Sequence, residues 1–346
     1  MKTFLYWSLV VVLAGALLVV TLLGRRGDPG HQHIQNFLIS QHRDWVLSGD
    51  HHLFDVTERG LNLDSLDGFK EGRFKWSTVG LPGGQLVTNF VTADANIVIS
   101  QDEYVLGVVN GTVATAYPVR ILVRHQVIND TTQNPPVLAY FSTNSHTAAA
   151  YRAHTTGGPA HFASTGFLHR HADLLFDIET ESLFHPITGV FAAGERVGER
   201  AELLGSALMT LGEWLTLFPD SRIMTTNVGT GPRTYQRYSP GARPPILDRR
   251  LRVDDQDLQR RDTNVIALRR GWQAISAALP AWSRWSPGTH EIRLLDNRYT
   301  LHLLDTPGSA YITDQSGSLA PSVRALGYIF HAALDGGEHV ELEAGR

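Results

Sequence analysis

His169, His171 and Asp173 alternate with Arg170 and Ala172. On a strand, where successive side chains point to opposite faces, these three would share one face. Two imidazoles and a carboxylate so placed form a ligand set for zinc or copper. The same alternation also suits a solvated outer strand face that binds nothing. His146, His154 and His161 fall in a Gly- and Thr-rich stretch that reads as a loop without a site. Ser142 lies near His146, but a nucleophile and its base are recognised by spatial geometry, so nearness in sequence is weak ground. No Gly-x-Ser-x-Gly elbow, Walker loop or dinucleotide fingerprint occurs. Asn129-Asp130 reads as a turn capped by its own side chains, since Asn and Asp readily bond their local backbone. The sequence assigns no catalytic residue and leaves open whether the protein is an enzyme.

The composition removes further classes. There is no cysteine, so disulfides, Cys zinc fingers, thiol nucleophiles and cysteine-held iron–sulfur clusters are excluded. Lys plus Arg is 30 against 34 Asp plus Glu, a formal charge of −4. Without a basic excess, no nucleic-acid partner is expected. The 346 residues allow about two domains of ordinary size and a core that needs no covalent staples. Charged residues are 18%, and the 32 Gly and 16 Pro point to an ordered, turn-rich chain.

The elements around these residues divide along the chain. Phe4–Gly24 carries no charge, and as a helix it would span roughly 30 Å, one hydrocarbon core. It reads as an uncleaved transmembrane anchor over 1–26, since a signal peptide has a shorter apolar region. Lys2 on one side and Arg25 and Arg26 on the other leave its orientation open. A helical neck over 27–73 follows, with Ile34, Phe37, Leu38 and Trp45 near helical spacing. A first β-rich lobe is expected over 74–234. There Asn110-Gly111 joins two apolar runs as a hairpin, and Val137–Phe141, Ala148–Ala153, Ala172–Ile178 and Val190–Ala193 read as strands. Gly205–Phe218 is the clearest helical stretch of that half. A Pro-, Arg- and Gly-rich linker over 235–260 precedes a smaller β-rich lobe over 261–346.

An internal repeat connects the lobes. Val105-Leu106-Gly107-Val108 then Gly111 matches Val265-Ile266-Ala267-Leu268 then Gly271. Val127-Ile128-Asn129-Asp130 is echoed by Arg293-Leu294-Leu295-Asp296, and Leu211-Gly212-Glu213-Trp214 by Leu326-Gly327-Tyr328-Ile329. The order is preserved, so two related lobes, each closed by a short helix, are expected.

Four blocks between Tyr104 and Met224 carry a family resemblance. They are Val105–Gly111 with Ala116–Leu122, then His125–Asp130, then Asp177 with Glu179–Phe184 and Thr188-Gly189, then Leu211–Trp214 with Phe218-Pro219-Asp220. In this order they resemble the bacterial and archaeal family known as domain of unknown function 3179. Members typically carry a Cys-Pro-x-Cys block after the strand that follows the Asn-Asp turn. The positions matching it here are Phe141, Ser142, Thr143 and Asn144. The family's Trp-His-Glu is matched by Arg124-His125-Gln126. His125 is thus the retained residue that could join His169, His171 and Asp173 around a metal, or else a hydrogen-bonded core histidine. The resemblance implies fold and ancestry and an extracytoplasmic globular part, and it supplies no reaction.

The expectation is therefore a mainly β (β-rich α+β) protein of two related lobes on one N-terminal transmembrane helix. It would sit in the cell membrane as a single-pass protein and serve as an extracytoplasmic binding or structural module without the family's cysteine site. No cofactor is called for, and its protein or small-molecule partner is not specified. The alternative is a metal-dependent enzyme with zinc or copper on His125, His169, His171 and Asp173.

Overall fold

A computed structural model describes residues 66–67, 85–86, 90–92, 99–143, 145–155, 158–169, 172–177, 179–180, 182–193, 195–196, 198–225, 235–236, 264–270, 273–280, 282–294, 296–333 and 338–340. The expected anchor, most of the neck and linker, His171 and Asn144 lie outside the described residues. Among the described residues no helix is long and apolar enough to cross a membrane.

The chain is mainly β. Three short strands come first: β1 (Leu66–Asp67), β2 (Gln85–Leu86) and β3 (Phe90–Thr92). A hairpin follows, β4 (Tyr104–Asn110) and β5 (Val113–Pro118), then α1 (Val119–His125). A meander comes next, β6 (Val127–Asp130), β7 (Val137–Phe141) and β8 (Ala148–Arg152). An insertion then adds the ribbon β9 (His154–Thr155) and β10 (Gly158–Pro159). It continues through β11 (Phe162–His169), β12 (Ala172–Asp177), β13 (Ser182–His185) and β14 (Val190–Ala193). These four strands and β1 make a five-stranded sheet. The first half closes on β15 (Gly205–Thr210), α2 (Leu211–Leu217) and β16 (Arg222–Met224).

The second half repeats this order without the insertion. Its hairpin is β17 (Asn264–Arg270) and β18 (Gln273–Ala278), followed by a 3₁₀ turn at Trp282–Arg284. Its meander is β19 (Gly288–Leu294), β20 (Asn297–Leu303) and β21 (Ala310–Thr313). It closes on β22 (Ser322–Leu326), α3 (Gly327–Ala333) and β23 (Glu338–Val340). The three sequence echoes fall on β4 and β17, on β6 and β19, and at the starts of α2 and α3.

The two halves do not build separate sheets. One eight-stranded sheet runs β19-β20-β21-β15-β4-β5-β16-β3, and the other runs β2-β6-β7-β8-β22-β17-β18-β23. Each half contributes the same four-stranded unit: β15-β4-β5-β16 in one sheet and β22-β17-β18-β23 in the other. In both, the last strand runs parallel to the second hairpin strand. Each meander then adds to the other half's unit, β8 to β22 at Ala148↔Arg324 and β21 to β15 at Ala310↔Leu208. The lobes expected over 74–234 and 261–346 are thus interleaved through shared sheets.

Face-on packing restores each meander to its own half. Leu106, Val108 and Tyr117 of the first hairpin share a core with Ile128, Ala139, Phe141 and Ala148 of the first meander. Ile266, Leu268 and Ile275 share another with Ile292, Leu301 and Ile312. The outer faces are covered by α2 and α3, and the insertion packs Phe162, Leu175, Phe184 and Phe191 on the outer side of β7 and β8.

The helix expected over Gly205–Phe218 is corrected. Its first six residues form β15, paired with β4 along its length. β15 is buried at all six positions, and a run buried on both faces has no period that separates strand from helix. The helix starts where Thr210 caps it. The Thr210 side chain accepts from the Glu213 amide at 3.3 Å, and a Glu213 carboxylate oxygen accepts from the Thr210 amide at 2.9 Å. This reciprocal capping box satisfies two orphan donors. The same carboxylate accepts the Thr306 amide at 3.0 Å, tying the cap to the second half.

Trp214, one turn into α2, is fully buried, with its ring N–H on the Ser221 hydroxyl at 2.7 Å. It lies on Gly107 so closely that a Cβ there would stand 2.2 Å from the ring. Replacing Trp214 by Ala should cost about 3–5 kcal/mol, and Gly107→Ala about 1–3 kcal/mol by overpacking. Because the shortened side chain vacates the space the new methyl needs, the double variant should cost less than the sum in urea unfolding. Strict additivity would show that the two positions do not share that contact.

Candidate functional site

The positions singled out by the family blocks meet at one end of the first meander. α1 ends at Gln126, whose backbone turns to φ 57° while its N–H still donates to the Leu122 carbonyl at 2.7 Å. The Gln126 carbonyl then accepts the Phe141 amide at 3.0 Å. Phe141 pairs with Ala148, and Ala148 with Arg324. One rung therefore carries Gln126, Phe141, Ala148 and Arg324 across four segments.

The β7–β8 loop is built from short polar side chains. The Ser142 amide donates to the Thr147 carbonyl at 2.8 Å, and the Ser145 amide to the Ser142 hydroxyl at 3.0 Å. The Ser145 carbonyl accepts the Leu326 amide at 3.1 Å, which ties the loop to the other half. His146 also has positive φ, 49°. Apart from Gly, few residues adopt this conformation, Asn, Asp and His more often than the rest, and it tends to cluster at functional positions.

The described residues of this region are buried. Phe141 is wholly enclosed, its ring centroid 6.1 Å from that of His146. Both amide atoms of Gln126 and both ring nitrogens of His146 are buried and find no hydrogen-bond partner among the described residues. Such groups carry a desolvation penalty, commonly about 1–3 kcal/mol each. Burial first, and then the charge of Arg324, hold the His146 ring down at about 4, so it is neutral at physiological pH.

Asp173 reaches the same region from the insertion. It accepts a hydrogen bond from the Tyr140 hydroxyl at 3.0 Å and another from the Ser142 hydroxyl. Burial and the Asp173 charge push the Tyr140 phenol well above its ordinary range, so it remains a protonated donor. The carboxylate is thereby engaged by two hydroxyls of the meander.

β11 ends at His169 and β12 begins at Ala172, and the two strands pair antiparallel, so His169 and Asp173 lie on different strands, while His171 lies outside the described residues. His169 pairs with Ala172, and Leu168 with Asp173. His169 and Asp173 occupy successive rungs of the β11–β12 pair. His125 is fully buried at the end of α1. Among the described residues no group of three or more His, Asp or Glu could hold a metal. The loop reading of His146, His154 and His161 also divides. His154 is exposed. His161 binds Glu179 through its amide at 2.7 Å and through its ring. His146 is enclosed.

Sequence reasoning passed over Tyr140 and Arg324, named Gln126 only as a match within the family's Trp-His-Glu, and read His146 as part of a loop without a site. A signal existed for Arg324 alone, as a lone charge inside the apolar run Val323–Leu326. The positive φ of Gln126 and His146 left no compositional mark.

The remaining blocks prove architectural. Asn129 exchanges bonds with the Phe162 backbone at 2.9 and 2.8 Å, clamping the insertion to the meander. Asp130 caps its own turn by accepting the Thr132 amide at 3.0 Å. Asp177 accepts from Thr180 at 2.7 Å and pairs with Arg196 at 3.2 Å.

Residues 87–280, more than half of the chain, match a family described as protein of unknown function, DUF3179. The chain belongs to the DUF3179 family. Neither the curated proteins nor the solved structures yield a match to it. The DUF3179 match begins just after β2 and takes in the rest of the first half, including the strands β11–β14 of the insertion, and the hairpin β17–β18. The rest of the second half, from the 3₁₀ turn to β23, lies beyond it.

Two outcomes follow for this DUF3179 chain. A buried His146 held near 4 takes up its proton after the same residue in the unfolded chain, whose value is about 6.5. The unfolded state thus binds more protons across that window, and stability is lost as pH falls from about 6.5 toward 4. Urea unfolding should register a loss on the order of 2–3 kcal/mol from this group. His146→Asn, which tolerates positive φ, should flatten that part of the curve; an unchanged slope would refute the assignment. Separately, Ser142→Ala should destabilise by about 1–3 kcal/mol by withdrawing a donor from Asp173. Ser142→Ala combined with Asp173→Asn should recover part of that loss, because the buried charge is gone.

Proposed function

We propose that this DUF3179 protein is a binding or structural module, tethered to a membrane through Phe4–Gly24 with its folded part on the extracytoplasmic side. The observation that carries this reading is the full burial of Phe141, which the resemblance matches to the first cysteine of the family's block. It stands among Leu122, Val123, Ala139 and Ala148. Ser142, the next position, spends its hydroxyl on Asp173. An aromatic plug and a side chain already engaged with a structural carboxylate support a role in holding shape. The alternative, a metal-dependent enzyme on His125, His169, His171 and Asp173, is less well supported. Its carboxylate already receives two hydroxyls, and its ligands come from a helix end and two strands rather than from one strand face.

Two measurements test the reading. Full-length protein should stay with membranes through a carbonate wash, whereas a chain begun at Gly27 should be released; full-length protein in the soluble fraction with its amino terminus intact would remove the tether. Purified protein should keep its thermal midpoint after chelation. Stoichiometric zinc or copper, lost when His169 and His171 are both changed to Ala, would replace the module with the metal enzyme.

A further inference from the structure

The three large sheets end on six strands among the described residues. Five of these, β1, β2, β3, β14 and β23, have four residues or fewer. The sixth, β19, has seven and pairs with β20 at every position without a bulge. A free edge strand offers unpaired backbone donors and acceptors, and folded proteins usually keep such edges short, bulged or interrupted by proline. β19 has none of these devices.

Two residues separate Leu294 from its partner Asn297, so that pair closes the hairpin through backbone hydrogen bonds. Hydrogen-bonded and non-hydrogen-bonded pairs alternate along an antiparallel ladder. His290 and Ile292 therefore turn their backbone groups toward β20, while Thr289, Glu291 and Arg293 turn theirs to the open edge. The side chains of these last three are exposed, whereas Ile292 and Leu294 enter the core. Arg293 stands directly opposite Arg298 of β20, a like-charge pairing that weakens a hairpin. Among the described residues neither Glu291 nor Arg293 has an ion-pair partner.

Charged side chains commonly blunt an edge. Those of β19 do the reverse, because opposite charges two positions apart make the strand complementary to itself. When two copies pair antiparallel about a two-fold axis at Ile292, Glu291 of each copy faces Arg293 of the other. Both residues belong to the set with outward backbone groups, so each such pair exchanges two backbone hydrogen bonds. A register centred on Glu291 would instead set two carboxylates opposite each other, and one centred on Arg293 two guanidiniums.

We infer that β19 is a self-association edge, on which a second copy of this chain pairs through Glu291, Arg293 and their backbone to join two eight-stranded sheets into one. A single strand pair is a smaller contact than a standard interface of roughly 1,600 Å², so the dimer is weak and depends on concentration. The contact belongs to the folded part and holds with or without the tether.

Sedimentation of the full chain in detergent, at rising protein concentration, tests this. The unaltered chain should pass from monomer to dimer, and amide exchange over Gly288–Leu294 should slow as it does. Glu291→Arg and Arg293→Glu should each raise the dissociation constant by about tenfold. The chain carrying both changes restores the opposite charges and should dimerise as the unaltered chain does. Both side chains are exposed, so every variant should keep the circular dichroism of the folded monomer. A chain that stays monomeric, single variants that dimerise as tightly as the unaltered chain, a double variant no tighter than the singles, or exchange that slows only outside β19 would each overturn the inference.

Discussion

The structure depends on one crossing. β15 and β22 are equivalent strands of the two halves, and they meet through the reciprocal bonds of Ser206 and Ser322. Close approach is enforced there, since a Cβ at Gly205 would lie 2.4 Å from the Leu319 carbonyl oxygen. On either side of this point each strand accepts the meander of the other half, at Leu208↔Ala310 and Arg324↔Ala148. Neither half can complete its sheet alone, so their folding is coupled by backbone pairing as well as by apolar burial.

That coupling explains why the blocks along the chain are spaced so widely. Glu213 caps α2 and also holds Thr306 in the second half. Trp214 covers the outer face of β4 and requires a bare backbone at Gly107. Asn129 fastens the insertion. Each is a short contact between segments far apart in sequence, and each is satisfied on both sides, as buried polar groups in native proteins generally are.

The meander's end differs from this pattern. Gln126 and His146 combine positive φ with buried side chains that find no partner among the described residues, while Phe141 occupies the space between their segments with apolar atoms. Burying polar groups without partners lowers stability, and the large apolar contact of Phe141 offsets part of that cost. The local geometry is that of a site, and its contents are those of a core. This contrast is the main support for the proposed reading of the chain as a binding or structural module.

The sequence by itself determined the absence of thiol chemistry, the β-rich texture, the hairpin at Asn110-Gly111, the family and the repeat. All of these rest on composition, on near-neighbour turn chemistry or on residues read in order. Tertiary structure alone decided that the halves interleave, because a strand's apolar pattern states that it is buried without naming the strand beside it. It also decided that Gly205–Thr210 is a strand, since a run buried on both faces has no telling period. It set His169 and Asp173 on successive rungs of the β11–β12 pair, because the two residues belong to different strands and an alternation along one strand does not apply to them. And it enclosed His146 and Arg324, whose environment depends on chain segments more than a hundred positions away from each other.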